Sequence, residues 1–425
     1  MELVMKILYV VFEALLGGHV LSATTVAREM KSRGHSVMIA GKRGRMTPEI
    51  EESMPFFDVE IPVFHKRRQT YFTWSSFAAV WRLRKIIRNE KIEIVHAFDA
   101  RSYVHGYLAS LLEDVTILCT LCGGVDPYYN LPLARKIIVF SEEQKKRMTE
   151  TWKWSSESIE VIRTRLDLQK IQDQSISIAS ENLLSYGVDP NRPLLMMITR
   201  FDALQIRGIY SLLDAIDQLR TRFVLQMVFI GGGDASDDGA RRMAKSINEK
   251  YGEQTVVIIN AIKDAFRFLR HATIVLGVGR SAFEGMAHAK PTIIIGHEGY
   301  AGTVSAVEVD ELAYYNFSGR NRKMSAGPDL LAEKISQLLA DEKMRKEVGS
   351  FAMEYVMREL DVRKGALRIE ETYHQVRKKE IGKFARWFSF IKCILPVIID
   401  NGLHRPKSFI KSLVNRQPKV VPINR

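Results

Sequence analysis

The sequence predicts an α/β protein made of two doubly wound domains in tandem. Two successive series of short apolar runs carry this prediction, since segments of helical periodicity separate the runs in each series. Such alternation is typical of parallel sheets covered by helices on both faces. The length of 425 residues fits two domains, and a stretch with several Ser and Pro residues between the two series suits a linker.

The expected strands are short runs rich in β-branched and aliphatic residues. In the first series they cover residues 6–12, 36–40, 58–63, 92–97, 115–120 and 136–140. In the second series they cover residues 194–199, 225–230, 255–259, 272–276 and 291–295. Parallel strands of this kind place their carboxyl ends at one edge of each sheet, and doubly wound sheets bind ligands beyond that edge.

These runs divide the chain into five parts. We expect an N-terminal domain over residues 1–170, a linker over 171–192 and a C-terminal domain over 193–345. Helices over 346–380 are expected to return to the N-terminal domain, and a basic, aromatic tail covers 381–425. Two facing domains would hold a ligand in the cleft between them.

Composition excludes several classes of protein. Hydrophobic residues make up 46% of the chain, which excludes a disordered chain. No run reaches the roughly 18 apolar residues of a membrane-spanning helix. The cysteines, Cys119, Cys122 and Cys393, are too few for a disulfide scaffold and favour a reducing compartment. Cys119 and Cys122 lack the second ligand pair of a zinc site, so we expect no metal there.

The positive charge of the chain is concentrated at its C-terminal end. The net charge is +13, and residues 377–425 contain twelve Lys or Arg against two acidic residues. A basic segment is attracted to anionic lipid or to nucleic acid. Because the rest of the chain is nearly balanced and has no nucleic-acid motif, we expect an anionic membrane surface as a partner of the tail, and no nucleic acid. A solvated tail without a membrane role is the alternative.

Two glycine-containing turns lie where phosphate groups could bind. Gly17 and Gly18 follow the first strand and open a helix, whose N-terminal N–H groups attract anions. Gly277, Gly279, Arg280, Ser281 and Ala282 follow a strand of the second series and open another helix, in the pattern of a dinucleotide fingerprint. That fingerprint belongs at the first turn of a domain, so a different phosphate ligand is favoured over NAD.

Charged side chains follow the strands of the second series. Arg200 ends the strand 194–199, and Arg207 comes shortly after it. Paired guanidinium groups suit a diphosphate, although each arginine alone could be a solvated surface residue. Glu284 lies one turn inside the helix after Gly279, where a carboxylate could accept hydrogen bonds from two sugar hydroxyls or simply benefit from the helix dipole.

In this order the motifs resemble the family-4 (group 1) retaining glycosyltransferases, which have the two-domain GT-B fold. The strongest match is the segment 279–291, GRSAFEGMAHAKP, around Glu284. Thr199-Arg200-Phe201 with Arg207-Gly208 is similar to the donor-phosphate element of the family. The N-terminal Gly17-Gly18 turn and the strand end around His96 resemble the opening of its first domain.

The resemblance implies a role for each of these residues. Arg200 and Arg207 would hold the diphosphate and act as the catalytic residues. The other donor-binding residues would be Gly17, Gly18, Gly279, Arg280, Ser281, Glu284, Glu298 and Gly299. His96 and Cys122 would lie on the acceptor or sugar side. The family needs no metal and no cofactor beyond the nucleotide-sugar co-substrate, here expected to be a UDP- or GDP-sugar.

Three positions depart from the family pattern. Leu276 stands where the family often has a first Glu, Cys122 replaces a His that reaches the sugar, and Arg207 replaces a phosphate-binding Lys but keeps its charge. Two of these changes fall on the sugar side. A catalytically impaired nucleotide-binding scaffold and a nucleotide-sugar epimerase of the same fold therefore remain alternatives.

The function expected from the resemblance is transfer of a sugar to a polysaccharide, glycolipid or other glycoconjugate. A glycan or lipid-linked acceptor would be the second substrate. The expected location is cytoplasmic, with peripheral attachment at the inner face of the plasma membrane through the tail.

Overall fold

Two sheets flanked by helices make up the part of the chain that the computed structural model describes. This part covers residues 4–62, 71–123, 131–163, 166–173, 180–233, 237–322, 327–378 and 381–395. Most of the predicted basic tail, residues 396–425, and the basic segment 64–68 lie outside the described residues. The predicted fold class, two doubly wound α/β domains, is confirmed.

The N-terminal domain contains a sheet of seven parallel strands in the order β3-β2-β1-β4-β5-β6-β7. The strands are β1 (Lys6–Glu13), β2 (Ser36–Lys42), β3 (Phe56–Asp58), β4 (Ile94–Phe98), β5 (Thr116–Leu121), β6 (Ile137–Val139) and β7 (Ile159–Val161). The helices among them are α1 (Gly18–Ser32), α2 (Thr47–Glu51), α3 (Ser76–Asn89), α4 (Ala100–Glu113) and α5 (Glu142–Thr151). One hydrophobic cluster fills each face of the sheet, with α1 on one side and α3 and α4 on the other.

The C-terminal domain contains a six-stranded sheet in the order β10-β9-β8-β11-β12-β13. The strands are β8 (Leu194–Phe201), β9 (Gln226–Gly233), β10 (Val256–Ile259), β11 (Ile274–Gly277), β12 (Thr292–Gly296) and β13 (Gly299–Thr303). Only β13, at the edge, is antiparallel to its neighbour within this described sheet. The helices that accompany it are α6 (Leu168–Gln172), α7 (Ser180–Ser185), α8 (Ile206–Leu219), α9 (Asp237–Tyr251), α10 (Arg280–Ala287), α11 (Val309–Tyr314), α12 (Pro328–Ala340) and α13 (Glu342–Glu359).

The strand orders place a switch point in each sheet. In the N-terminal sheet β1 lies between β2 and β4, and in the C-terminal sheet β8 lies between β9 and β11. In each sheet the next strands along the chain are added on one side of this first strand, and later strands are added on its other side. Crevices at the carboxyl ends of such strands are the usual ligand sites of doubly wound sheets.

The chain crosses between the domains twice at one place. Leu166 and Asp361 form an isolated parallel bridge, with the Leu166 N–H donating to Leu360 O at 2.8 Å. Helix α14 (Val362–Lys378) then packs against the N-terminal domain beside α1. The helices expected over 346–380 therefore divide, because α13 packs on the C-terminal domain and α14 on the N-terminal one.

The first part of the predicted tail forms a helix over residues 383–395. Phe390 and Cys393 from this helix are buried in the same hydrophobic cluster as α3 and α4. The Arg386 guanidinium is also buried and donates to Val115 O at 3.1 Å. This helix is therefore part of the N-terminal domain. No helix among the described residues is long and apolar enough to cross a membrane.

The observed strands differ from the predicted ones at three places. The third strand is Phe56–Asp58, earlier than the predicted run 58–63. Strand β7 (Ile159–Val161) was not predicted, because three residues are too short for a periodicity signal. Strand β13 (Gly299–Thr303), which is antiparallel to β12, was also not among the predicted strands.

Candidate active site

The carboxyl-end edges of the two sheets face each other across a cleft. Interactions between side chains of the two domains show this arrangement. Glu49 of α2 lies 3.6 Å from Lys263, which follows β10. Glu143 of α5 accepts hydrogen bonds from Arg320, which follows α11, at 2.5 to 3.2 Å. His19 of α1 lies close enough to Arg200 for the guanidinium to lower the pKa of the imidazole.

The N-terminus of α1 forms the N-terminal wall of this cleft. Gly17 is the extended N-cap residue and has no side chain with which to cap the helix. A side chain at Gly18 would meet no atom within 4 Å, so this residue borders open space. The first N–H groups of α1 are therefore available to an anion, as the glycine pair predicts.

Arg200 and Arg207 lie on the opposite wall. Arg200 is the second-last residue of β8, and Arg207 lies in the first turn of α8. Their side chains are 76% and 69% exposed. Among the described residues, each forms a loose ion pair, Arg200 with Asp202 at 3.4 Å and Arg207 with Glu298 at 3.7 Å. Both guanidinium groups thus keep donors for a diphosphate.

The turn between β12 and β13 places Glu298 beside Arg207. The neighbouring His297 ring lies 3.0 Å from Leu204 O, so the turn packs against the loop that leads into α8. At Gly208 a Cβ atom would lie 2.4 Å from Gly296 O, so only glycine allows α8 to start this close to β12. Gly299 follows with φ +91° and is buried.

Helix α10 begins at the end of β11, which pairs with β8. Its N-cap, Gly279, has φ +53°, a conformation that favours glycine, and a side chain there would meet no atom within 4 Å. The Gly279 N–H donates to Phe317 O at 2.8 Å. The Ser281 hydroxyl donates back to Val278 O at 3.2 Å, which tightens the turn.

Glu284 is buried one turn into α10. The Arg280 Nε atom donates to Glu284 Oε1 at 3.0 Å. Burial raises the pKa of the Glu284 carboxyl, while the charge of Arg280 opposes this shift. The second oxygen, Oε2, has no recorded hydrogen bond among the described residues, so the carboxylate can accept from a further ligand.

His96 lies inside the N-terminal domain and its side chain does not reach the surface of the cleft. Its Nδ1 lies 2.7 Å from the Tyr373 hydroxyl and its Nε2 lies 2.7 Å from Thr120 Oγ1. The Tyr373 hydroxyl also contacts that of Tyr9 at 2.9 Å. Burial lowers the pKa of His96 to about 3, so the ring is neutral at physiological pH. The structure therefore gives His96 a role in attaching α14 to the sheet.

The other sugar-side positions differ from each other. Cys122 follows β5 at the sheet edge and is partly buried, and both burial and Asp99 raise the pKa of its thiol. It is a neutral thiol rather than a thiolate nucleophile. Leu276 is fully buried in β11 and offers no polar group to a ligand.

Two side chains near the cleft were missed by the sequence analysis. His19 lies in the first turn of α1, directly after the glycine pair. Arg101 lies in the first turn of α4, 4.0 Å from the centroid of the Phe12 ring. Partial burial lowers the pKa of His19, and Arg200 and Arg101 lower it further. These residues follow β1 and β4, which are neighbours in the sheet, and the sequence analysis did not predict that pairing.

The comparisons with known proteins agree with this architecture. Residues 16–170 match the model of the family described as Glycosyltransferase Family 4. No curated protein matches the chain. A crystal structure of a glycosyltransferase from Rickettsia africae ESF-5 is 19% identical, with a TM-score of 0.68 over 89% of this chain and 100% of that one.

Two further solved structures share the fold. Anabaena Alr3699/HepE in complex with UDP-glucose is 16% identical, with a TM-score of 0.66 over 87% of this chain and 100% of that one. WaaG, a glycosyltransferase involved in lipopolysaccharide biosynthesis, is 12% identical, with a TM-score of 0.58 over 86% of this chain and 99% of that one. At these identities the structures establish the fold alone.

The two facing doubly wound domains define a protein of the GT-B class. Within that fold class, residues 16–170 are similar to Glycosyltransferase Family 4. The predicted family resemblance is confirmed.

Proposed function

We propose that the protein transfers a sugar from a nucleoside-diphosphate sugar to a polysaccharide, glycolipid or other glycoconjugate. The observation that carries this proposal is the arrangement of three elements around one cleft. These are the uncapped N-terminus of α1 at Gly18, the exposed guanidinium groups of Arg200 and Arg207, and the half-satisfied carboxylate of Glu284.

The proposed donor lies along the edge of the C-terminal sheet. Glu284 accepts hydrogen bonds from the ribose hydroxyls through its free oxygen, and Arg280 holds the carboxylate in place. Arg200 and Arg207 bind the diphosphate, with Gly279 and Ser281 at the helix start nearby. The complex of Alr3699/HepE with UDP-glucose supports the same ligand class for this fold.

The chemistry we propose depends on the charge of the leaving group. As the bond between the sugar C1 and the diphosphate breaks, negative charge develops on the departing phosphate oxygen. Arg200, Arg207 and the N-terminus of α1 can offset that charge from both walls of the cleft. Arg101 adds to the positive field on the N-terminal side, whereas the lowered pKa of His19 favours a neutral ring there.

The sugar itself has fewer evident partners. Leu276 cannot replace the family carboxylate, because its side chain is apolar and fully buried. Glu298 is the candidate for this contact, because its carboxylate is 25% exposed beside Arg207. Cys122, on the opposite wall, is the sugar-side candidate from the N-terminal domain. We retain the predicted retaining, metal-independent reaction and the peripheral location at the inner membrane face as parts of the proposal.

The test is a transfer assay with purified full-length protein. UDP-, GDP- and ADP-sugars are incubated with glycolipid and polysaccharide acceptors, with and without EDTA, and the anomeric configuration of the product is read by NMR. We expect acceptor-dependent release of UDP or GDP, insensitive to EDTA. Nucleotide binding without turnover on any acceptor would indicate a scaffold, and sugar isomerisation without an acceptor would indicate an epimerase.

A further inference from the structure

One surface of the N-terminal domain carries large apolar side chains that the fold leaves exposed. It combines α3 and the turn before it with the outward side of helix 383–395. We call it the outer apolar face, and its members are Trp74, Phe77, Trp81, Phe384, Phe388 and Ile391. Among the described residues, every Trp or Phe side chain that is classed as exposed lies on this face.

Helix 383–395 has two apolar stripes on opposite sides. Phe390 and Cys393 are buried against the domain. Phe384 and Phe388 are 95% and 73% exposed, and with Ile391 they follow the spacing of four and three residues that forms one stripe of a helix. Because the inner stripe already anchors the helix, the outer stripe has no role in the fold of the described chain.

The two parts of the face lie on the same side of the sheet. Phe72 joins α3 to helix 383–395, since its ring lies 5.3 Å from that of Phe77 and 5.5 Å from that of Phe390. Trp74 stacks on Phe77 at 5.8 Å. Helices α3 and 383–395 bury their inner sides in one cluster, so their outer sides both look away from the sheet.

Positive charges accompany the outer apolar face. Arg82 and Lys85 are exposed on α3, and Lys383 and Lys392 are exposed on helix 383–395. Beyond the helix, residues 396–425 add six Lys or Arg against one acidic residue. A second copy of this chain would bring like charges together at such a face, whereas an anionic surface would complement them.

We propose that the outer apolar face docks the protein on an anionic lipid membrane. Its aromatic rings would enter the membrane–water interface, where burial of Trp and of apolar side chains is favourable. The flanking Lys and Arg would contact the headgroups. This inference rests on the proposed function, because docking at a membrane would bring the cleft close to a lipid-linked acceptor. Helix 383–395 is then an interfacial element built onto the N-terminal, acceptor-side domain.

The test is co-sedimentation of full-length protein with phosphatidylcholine vesicles, with and without phosphatidylglycerol. The variant Phe384→Gln/Phe388→Gln is compared with Leu184→Gln/Val307→Gln, which changes two exposed apolar residues of the C-terminal domain. We expect binding only to the anionic vesicles, lowered about tenfold by the first variant and unchanged by the second. Thermal stabilisation by UDP is measured in parallel and should be equal for all three proteins.

Two results would overturn the inference. One is equal binding of all three proteins, which would show that charge alone attaches the chain. Another is a dimer in light scattering that becomes a monomer in Phe384→Gln/Phe388→Gln, without vesicle binding, which would assign the face to a second copy. Loss of UDP stabilisation with vesicle binding intact would instead count against the proposed function and leave the docking surface standing.

Discussion

The Arg280 guanidinium donates a hydrogen bond of 3.0 Å to the carboxylate of Glu284, one helical turn further along α10. This contact holds one oxygen of a buried carboxylate and leaves the other for a ligand. Glu284 is therefore positioned before a donor binds, and ribose recognition does not require the side chain to reorganise.

Replacing Glu284 with Gln should weaken donor binding. The amide cannot offer a charged acceptor to the ribose hydroxyls, and a hydrogen bond to a charged group is worth about 1.5–3 kcal/mol. We expect UDP affinity to fall roughly ten- to a hundredfold by isothermal titration. Glu249→Gln, at an exposed position of α9, is the control and should bind as the wild type does. Equal affinities for both variants would remove Glu284 from the donor site.

Arg200 and Arg207 should matter more for turnover than for folding. Both side chains are largely exposed, so Arg200→Ala and Arg207→Ala should keep the thermal transition within a few degrees. We expect kcat/KM for the donor to fall by about a hundredfold or more, since each removes a group that offsets leaving-group charge. Lys at position 207 should restore part of the activity.

The matched control is Arg222→Ala. Arg222 is exposed just before β9, at the amino-end edge of the same sheet and away from the cleft. An equal loss of activity in this variant would show that overall positive charge, rather than position, explains the result.

Tyr373 should contribute to the stability of the N-terminal domain. Its hydroxyl joins His96 and Tyr9 in a fully buried network between α14 and the sheet. Tyr373→Phe leaves buried polar atoms without a partner, which costs about 1–3 kcal/mol. Urea denaturation should show this loss, while Tyr186→Phe, at an exposed position, should show none. Unchanged UDP binding in the folded variant would confirm that the network supports the fold and not the donor site.

The buried histidines predict a stability that falls in mild acid. Burial lowers the pKa of His96 to about 3 and that of His105 to about 4. Between about pH 6.5 and 4 the unfolded chain binds protons that the native state excludes, so each histidine lowers the free energy of unfolding by roughly 1 kcal/mol per pH unit as the pH falls.

Asp99 acts in the opposite direction over part of this range. Burial raises its pKa to about 6, so its contribution is largest at low pH and is lost as the pH rises through that value. The cleanest readout is the slope of unfolding free energy between pH 6.5 and 5. His105→Gln should reduce that slope by about 1 kcal/mol per pH unit relative to the wild-type protein. Identical slopes would contradict the assignment.

Local pattern was sufficient to predict the elements that carry the candidate donor site. Apolar runs followed by Gly17-Gly18 and by Gly279 marked strand ends that open helices, and both are found there. Arg200 and Glu284 were placed correctly at the edge of the second sheet. In a parallel sheet the carboxyl ends of all strands lie at one edge, so residues that follow the strands meet there.

What the sequence could not show depends on contacts between distant residues. His96 was placed on the acceptor side because it lies near a strand end, but Tyr373, 277 positions later, covers it with α14. The sequence analysis assigned residues 383–395 to the basic, aromatic tail and did not predict that they pack on the N-terminal domain. In the structure, one apolar side of this helix packs against Tyr107 and the other side remains exposed.

The most direct test of the central claim is a crystal structure of the protein with a bound nucleoside diphosphate. The account predicts that the two phosphates lie between the N-terminus of α1 and the guanidinium groups of Arg200 and Arg207, with the ribose hydroxyls on Glu284. A nucleotide bound elsewhere, with none of these three side chains in contact with it, would contradict it.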